Sequence, residues 1–300
     1  MQIRQLGVTK DKCIFDAAYR FAKERCRYVE RQEARWLTRR RRPGNRLMHT
    51  SSIAAAGVGK SQRSFLRGFT SLQDKPGAMS AVGAGALADS ILADGNPKAI
   101  MAIDRSEGFI SEARRKVDDP RVCFEVGDAA ALPWPRGSCD ATVCGLLLNF
   151  VSDAGSLARE MSRVTRPGGR VAAYVWDYGR GMQMMRYFWD VAVELNPRDS
   201  TLDQGQRFPL CQPEPLEALF RASGLTSISV RSIEIPTVFR DFDDYWMPFL
   251  GKQGAAPTYL ASLDHENQIR IRDALKARLI PAADGSIALS ARAWAVQGVV

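Results

Sequence analysis

The sequence predicts an α/β fold in which helices cover both faces of a mostly parallel, doubly wound sheet. Three observations carry this prediction. From about residue 78 onward, short apolar runs typical of buried strands alternate with amphipathic helical segments. Several of the apolar runs end in an acidic residue, as buried parallel strands with a polar edge do. Two further strand-like segments close the chain, which suits an antiparallel pair at the edge of the sheet.

The elements follow from local patterns in the chain. Lys98–Asp104 is an apolar run that ends in an acid, which predicts a buried parallel strand. Asp153–Val164 predicts a helix, because Leu157, Met161 and Val164 recur at spacings of four and three residues. The other predicted elements are a strand before Gly83, strands at 121–128, 140–148, 170–177, 225–235 and 286–300, and helices at 106–117, 214–223, 241–250 and 264–279.

Composition argues against several classes of protein. The 300 residues are 45% hydrophobic and 25% charged, the balance of a globular enzyme with a sizeable core. The six cysteines form no Cys-x-x-Cys pair and the two histidines are isolated. This pattern disfavours a zinc site, a disulfide framework and histidine-dependent nucleophilic catalysis, so no bound metal is expected. No apolar run approaches about 18 residues and no leader sequence is evident, so we expect a cytoplasmic protein.

The net charge of +9 belongs to the first part of the chain. Residues 1–77 hold 18 lysines and arginines against 6 acidic residues, a net of +12, whereas residues 78–300 hold 24 against 27, a net of −3. We therefore predict a basic, irregular segment at 1–77 and a separate domain at 78–300. The run Arg39–Arg42 could contact a nucleic-acid backbone, but a solvated run is favoured and no nucleic-acid partner is expected.

A glycine-rich turn and two acidic strand ends mark a candidate nucleotide site. Gly83 and Gly85 follow the predicted first strand, where glycine lets the backbone approach a ligand closely. Asp104 ends the next strand nineteen residues after Gly85, near the spacing at which an acid accepts both hydroxyls of a ribose. Asp128 and Ala129 follow the third strand, where the carboxylate could accept a hydrogen bond from an adenine amine.

These features resemble the class I S-adenosylmethionine-dependent methyltransferases, especially the small-molecule group that includes the ubiquinone and menaquinone C-methyltransferases. Three stretches carry the resemblance: AIDRSEGFISEARRKV, FEVGDAAALPWPRGSCDATVCGLLLNFV and REMSRVTRPGGRVAAYVWDY. It runs from about Ala78 to the C-terminus and is clearest up to Asp177. The resemblance implies a Rossmann-like methyltransferase fold, with a seven-stranded sheet whose last strand is antiparallel. It also implies S-adenosyl-L-methionine as cofactor and a small molecule as methyl acceptor.

The resemblance assigns cofactor contacts along the sheet edge. Asp104 would hold the ribose, and Arg105 would lie beside the adenine. Asp128 with Ala129 would frame the adenine edge. The end of the fourth strand would line the methionine side of the cofactor, through Gly145 and Leu146, and the first motif would contribute Ala81, Gly83 and Gly85.

The first motif departs from the family pattern. The family has an acid, any residue and then three glycines at alternate positions, whereas this chain has Met79, Ala81, Gly83 and Gly85. Loss of the acid, which normally orients the loop, is expected to weaken cofactor affinity. We hypothesise a shifted reading frame up to about Ala84, because one set of codons for this segment gives Asp-Val-Gly-Cys-Gly-Ser out of register. The alternative function is a catalytically impaired, methyltransferase-like binding domain.

The acceptor pocket is expected beyond the fourth and fifth strands. Asn149, Trp176 and Tyr178 are candidate acceptor contacts, and an insertion at about 178–260 is expected to cover the substrate. Aromatic side chains in this region suit a flat or lipophilic acceptor. Taken one by one, however, most of them are better explained by helix packing. They include Tyr187, Phe188, Trp189, Phe239, Phe242, Tyr245, Trp246 and Phe249. No residue is assigned as a catalytic base.

Overall fold

The computed structural model describes residues 77–80, 85–251 and 254–300, so nearly all of the basic segment predicted at 1–77 lies outside the described residues. The strands are β1 (Gly77–Ser80), β2 (Ile100–Asp104), β3 (Val122–Val126), β4 (Cys139–Gly145), β5 (Thr165–Trp176), β6 (Thr226–Phe239) and β7 (Ile287–Val299). They form one sheet in the order β3-β2-β1-β4-β5-β7-β6. β1 to β5 are parallel, and β7 is antiparallel to both β5 and β6. The prediction of a mostly parallel α/β sheet with an antiparallel last strand is confirmed.

Helices and short 3-10 turns connect the strands. The helices are α1 (Ala86–Gly95), α2 (Glu107–Lys116), α3 (Ala154–Val164), α4 (Gln183–Leu195), α5 (Gln204–Arg207), α6 (Pro213–Ala222), α7 (Phe242–Trp246), α8 (Ala255–Ser262) and α9 (His265–Arg278). The 3-10 turns are Pro197–Leu202, Pro209–Cys211 and Met247–Leu250. No helix among the described residues combines the length and the apolarity that crossing a membrane requires.

The sheet is buried on both faces, as a doubly wound sheet must be. Val143 and Cys144 are neighbours on β4 but belong to different hydrophobic clusters, because successive strand residues point to opposite faces. The Val143 cluster includes residues of α1 and α2, such as Leu87 and Ile110. The Cys144 cluster includes residues of α3 and α6. Helices therefore pack on both sides of the parallel strands.

Side-chain caps and apolar stripes explain the best-predicted helices. Ser106 caps α2 by accepting the backbone N–H of Phe109, and Asp153 caps α3 by accepting that of Ser156 at 2.9 Å. The buried face of α3 consists of Leu157, Ala158, Met161 and Val164. The caps and the stripe are both visible in the sequence, and the predicted boundaries agree with the observed ones to within a residue.

Strand register brings the predicted site residues to one edge of the sheet. Ser80, the last residue of β1, is paired with Ile103 of β2 on one side and Cys144 of β4 on the other. Asp104 of β2 is paired with Val126 of β3. Four parallel strands therefore end together. The strand order reverses between β1 and β4, and open α/β sheets bind their ligands at such a reversal.

β4 and β5 begin and end earlier than the sequence predicted. β4 ends at Gly145 rather than at Leu148, because Leu146 has a φ of 57° and leaves the extended conformation. β5 begins at Thr165 rather than at Arg170, since Thr165 is already paired with Cys139 of β4. The Gly168 N–H also donates to the carbonyl of Val300. The glycine pair predicted to precede the strand is therefore part of it.

Candidate active site

Gly85 fixes the turn between β1 and α1. Its φ is 87°, and a Cβ atom at this position would lie 3.2 Å from the Cα and Cβ atoms of Ala113 in α2. Both features favour glycine, since only glycine reaches this conformation without strain and without a side chain. Ala81 and Gly83, the other two predicted members of the loop, lie outside the described residues.

Asp104 ends β2 with its carboxylate oriented at the sheet edge. Its Oδ1 accepts the backbone N–H of Ser106 at 2.9 Å, and its carbonyl oxygen accepts the N–H of Gly127 at 2.9 Å. The residue is only partly buried. Asp104 thus lies where the sequence predicted, in a defined orientation beside the segment that follows β3.

Asp128 lies two residues beyond β3 and is ionised at neutral pH. The backbone N–H of Ala130 donates to its Oδ1 at 2.9 Å. Together with the guanidinium of Arg105, that N–H holds the pKa of the carboxyl below its usual value. The neighbouring Ala129 is buried, so this turn presents a carboxylate next to a small apolar side chain.

Arg105 forms an ion pair with Asp128 across the edge of the sheet. The Nη2–Oδ2 distance is 2.6 Å, and the two side chains are 72% and 38% exposed. The sequence predicted Arg105 beside the adenine. In the structure it contacts Asp128, which was predicted to bind the edge of the same base. Asp104 and Arg105 lie at the end of β2, and Asp128 lies two residues beyond the end of the neighbouring β3.

Gly145 and Leu146 form a constrained turn at the end of β4. A Cβ atom on Gly145 would lie 2.7 Å from the hydroxyl oxygen of Tyr174, its partner on β5. Leu146 adopts the left-handed conformation and donates its N–H to the carbonyl of Tyr174 at 2.8 Å. A left-handed leucine costs about 1–2 kcal/mol, and such strain is concentrated at functional sites.

Asn149 and Tyr178 are joined by a cysteine that sequence reasoning did not select. Asn149 Nδ2 donates to the sulfur of Cys211 at 3.4 Å, and the backbone N–H of Tyr178 donates to the same sulfur. Trp176 and Tyr178 share the hydrophobic cluster of Cys211. Asn149 and Tyr178 therefore both contact one buried thiol, whereas Trp176 only belongs to the same hydrophobic cluster. Cys211 is 62 residues from Asn149 in sequence, so no local pattern could have indicated it.

Three aromatic rings pack against one another in the same region of the fold. The ring centroid of Phe208 is 5.6 Å from that of Tyr178 and 5.2 Å from that of Phe150. Burial raises the pKa of the Tyr178 hydroxyl, even though the side chain of Gln204 forms a hydrogen bond with it. Tyr178 is therefore protonated at physiological pH and can position a group, but it cannot act as a phenolate base.

The other aromatic residues pack in a second core. Phe188 of α4 stacks on Phe249 with centroids 4.7 Å apart, and Tyr245 of α7 contacts Phe239 of β6 edge to face. These residues belong to one buried cluster, separate from the cluster of Tyr178. The packing interpretation is confirmed for them. Helices of this region continue to Arg278, beyond the predicted end of the insertion near residue 260.

Residues 79–173 match the family model of the methyltransferase domain. The matched segment includes Asp104, Asp128, Gly145 and Leu146, which the fold places along one edge of the sheet. Residues 79–173 are thus similar to a methyltransferase domain.

Curated methyltransferases match parts of the chain. The demethylmenaquinone methyltransferase of Beutenbergia cavernae is 42% identical over 72 residues, which cover 24% of this chain and 29% of that protein. The demethylmenaquinone methyltransferase of Roseiflexus castenholzii is 46% identical over 132 residues, which cover 39% of this chain and 54% of that protein. The chain thus spans about half, or less, of the length of these relatives.

The fold of the methyltransferase domain is also found among solved structures. Phosphoethanolamine N-methyltransferase 2 of Haemonchus contortus, in complex with phosphomonomethylethanolamine and S-adenosylhomocysteine, matches with a TM-score of 0.52 and 17% identity. The match covers 84% of this chain and 58% of that protein. At this identity the likeness is one of fold.

Proposed function

We propose that this chain transfers the methyl group of S-adenosylmethionine to a small aromatic or lipophilic acceptor. The observation that carries the proposal is the position of Asp104 and Asp128 at the ends of neighbouring strands in a methyltransferase domain. A ribose diol and an adenine amine both donate hydrogen bonds, and two adjacent carboxylates can accept them.

The residues at the sheet edge fit the cofactor in their chemistry. Asp104 accepts hydrogen bonds from the ribose hydroxyls, and Asp128 with Ala129 frames the adenine edge. Gly145 and the strained Leu146 line the methionine side. Met79 and Ala81 replace the acid and the first glycine of the family motif, so we expect a weaker hold on the amino end of the cofactor.

The bound cofactor supplies a methyl group made electrophilic by its sulfonium. The part of this chain is to align the acceptor with that methyl group and to exclude water. The buried contacts among Asn149, Cys211 and Tyr178 suit this role, since a rigid pocket wall holds an acceptor in one orientation. No side chain is assigned as a base, because an acidic acceptor such as a phenol needs none.

An aromatic acceptor is supported by two observations. Tyr178 and Phe208 pack ring against ring in the region of Cys211, which Asn149 contacts, and aromatic surfaces bind flat molecules well. The relatives named above are demethylmenaquinone methyltransferases, and their names indicate quinone-type acceptors. We extend to this chain only the coarser class, a small molecule with an aromatic or lipophilic character.

Methyl transfer from radiolabelled S-adenosylmethionine to a panel of phenols and hydroquinones tests the proposal. We expect transfer to at least one of them. Asp104→Ala should lower kcat/KM by about 10- to 150-fold, the equivalent of 1.5–3 kcal/mol for a charge-assisted hydrogen bond. Asp118→Ala, which removes an exposed acid after α2, is the matched control and should leave kcat/KM unchanged.

Two outcomes would contradict the proposal. Equal activity of Asp104→Ala and the native chain would remove that carboxylate from the cofactor site. Binding of cofactor without transfer to any compound of the panel would instead favour the impaired, methyltransferase-like binding domain.

A further inference from the structure

One amide atom beside the proposed acceptor pocket is buried without a partner. Asn149 Oδ1 is closed to solvent and accepts no hydrogen bond from the described residues. Its sister atom Nδ2 donates to the sulfur of Cys211. Turning the amide over would bring Oδ1 to the neutral thiol and leave Nδ2 in the unpartnered position instead. Nearly all buried polar atoms in folded proteins are hydrogen-bonded, so this position calls for a partner such as a water, an ion or a bound ligand.

Cys211 holds this amide and the loop after β5 at the same time. Its sulfur accepts hydrogen bonds from Asn149 Nδ2 and from the backbone N–H of Tyr178. The thiol is 1% exposed and lies at the end of the 3-10 turn Pro209–Cys211, where its own N–H donates to the carbonyl of Phe208. Burial raises the pKa of Cys211 to about 11, so the thiol is neutral at physiological pH. Its contacts are therefore positional rather than ionic.

The Tyr178 segment is itself held firmly in place, so the sulfur has a rigid support. The carbonyl of Tyr178 accepts a hydrogen bond from Arg186 Nη1 at 3.2 Å. The hydroxyl of Tyr178 is bonded to the side chain of Gln204, whose Oε1 accepts the indole N–H of Trp189 at 3.2 Å. Because the Tyr178 segment holds the Cys211 sulfur in place, the sulfur in turn fixes the orientation of the Asn149 amide that donates to it.

We propose that Cys211 is a positioning residue that aims Asn149 Oδ1 at the methyl acceptor, and that this oxygen accepts a hydrogen bond from a hydroxyl group on the acceptor's aromatic ring. The inference rests on the proposed function for the presence of an acceptor in this pocket. It adds the chemical group that is recognised and the residue that makes the recognition specific. A pocket of this kind rejects an analogue that lacks the hydroxyl, because the amide oxygen then stays buried and unpaired.

Two probes that differ in one hydrogen-bond donor test this inference. The full chain is titrated by calorimetry with 1-naphthol and with 1-methoxynaphthalene, in the presence and absence of S-adenosylhomocysteine. The native chain should bind 1-naphthol at least about tenfold more tightly. Asn149→Ala and Cys211→Ala should bind the two probes with affinities within about twofold of each other.

Conservative and control variants separate positioning from a purely structural effect. Cys211→Ser should keep a clear preference for 1-naphthol, since its hydroxyl oxygen can accept the same two N–H groups. Cys139→Ala removes an equally buried thiol at the amino end of β4, far along the strand from Gly145, and should keep the full preference. Thermal unfolding checks that each variant is folded. If Cys211→Ala does not fold, Asn149→Ala still tests the amide directly.

The possible results separate this inference from the proposed function. Equal affinity of the native chain for the two probes, or full preference retained by Asn149→Ala or by folded Cys211→Ala, would overturn the inference. Failure to bind S-adenosylhomocysteine with the 1-naphthol preference intact would contradict the cofactor assignment but support recognition of the hydroxyl.

Discussion

At the scale of single residues, Gly145 is the position of the candidate site where one added atom has the largest effect. The Tyr174 hydroxyl lies where a Cβ atom would be placed, and the Tyr174 side chain is itself 1% exposed. Pairing of Gly145 with Tyr174 in the sheet keeps the two backbones at a fixed separation. The ring therefore cannot move away without disturbing the core around it.

We expect Gly145→Ala to lower the free energy of unfolding by about 1–3 kcal/mol, the usual cost of overpacking, and to weaken cofactor binding. Urea unfolding measures the first effect. Gly108→Ala is the control, because its nearest neighbour is Ser106 Oγ at 3.7 Å and its place in α2 favours alanine by up to about 1 kcal/mol. Equal stability of Gly145→Ala and the native chain would show that the site has more room than the structure indicates.

The lowered pKa of Asp128 predicts a specific pH dependence. A carboxyl whose pKa is lower in the folded state contributes stability above its unfolded pKa of about 3.9, and loses it as the pH falls through the folded pKa. Asp128→Asn should therefore make the acid-side fall in unfolding free energy shallower. Urea unfolding between about pH 3 and pH 7 measures this slope. An unchanged slope would mean that the Ala130 N–H and Arg105 do not stabilise the ionised form.

The sequence was informative about single residues wherever the chemistry is local. Asp104 and Asp128 were identified because each follows a strand-like run, and the structure places Asp104 at the end of β2 and Asp128 two residues beyond the end of β3. Cys211 was not identified, because its role depends on contacts with Asn149 and Tyr178 that are distant in sequence. A lone cysteine carries no pattern, so only the three-dimensional structure shows what it touches.

At the scale of elements, α4 shows where periodicity fails. Gln183–Leu195 is rich in apolar and aromatic residues, and its N-cap, Met182, makes no side-chain hydrogen bond. It carries a polar stripe of Gln183, Arg186, Asp190 and Glu194 at helical spacing, but no side-chain cap marks its start and the sequence did not predict it. It is helical because Phe188 and Trp189 fill the second core, together with α8 and α9 residues such as Tyr259 and Ile271. Tertiary packing thus decides the structure of this segment.

The segment between β5 and α6 depends on a buried ion pair. Arg186 of α4 donates through Nη1 to both carboxylate oxygens of Asp203, at 2.8 and 2.9 Å, and also reaches the carbonyl of Tyr178. Asp203 accepts the N–H of Gly205 as well, at 2.8 Å, which begins α5. The Asp203 side chain is 6% exposed, whereas Asp190, the second partner of Arg186, is 53% exposed.

We expect Asp203→Ala to lower the free energy of unfolding by about 3–5 kcal/mol, because it leaves a buried guanidinium without its main partner. Asp190→Ala removes the exposed partner of the same arginine and should cost no more than about 0.5 kcal/mol. Chemical unfolding of the two variants measures the difference. Similar costs for both would show that burial does not govern the strength of this network.

At the scale of the whole molecule, two cores serve different purposes. The first cluster, which includes residues of β2, β4 and β5, supports the sheet edge that carries Asp104 and Gly145. The second cluster joins α4 to the helices between β6 and β7 and contains nine of the 19 aromatic residues in the described part of the chain. The sequence predicted the alternating sheet and its antiparallel end. It did not predict the second core, because its members come from segments on both sides of β6 and meet only in the fold.

The departure of the first motif from the family pattern has a possible origin in the gene. Met79 and Ala81 lie at the positions of an acid and a glycine in the family pattern, at the point where the charge balance also changes. A shifted reading frame up to about Ala84 would explain both the altered motif and the change in charge balance. The coding DNA tests it directly: codons that do not give Asp-Val-Gly-Cys-Gly-Ser in the alternative frame would exclude it.

Calorimetric titration with S-adenosylhomocysteine tests whether the sheet edge binds the cofactor. We expect micromolar binding by the native chain, tighter binding after Met79→Asp and Ala81→Gly restore the family motif, and weaker binding in Asp104→Ala. This order would place the cofactor at the edge formed by β1, β2 and β3. Absence of binding in both the native and the restored chain would contradict the assignment of that edge as a cofactor site.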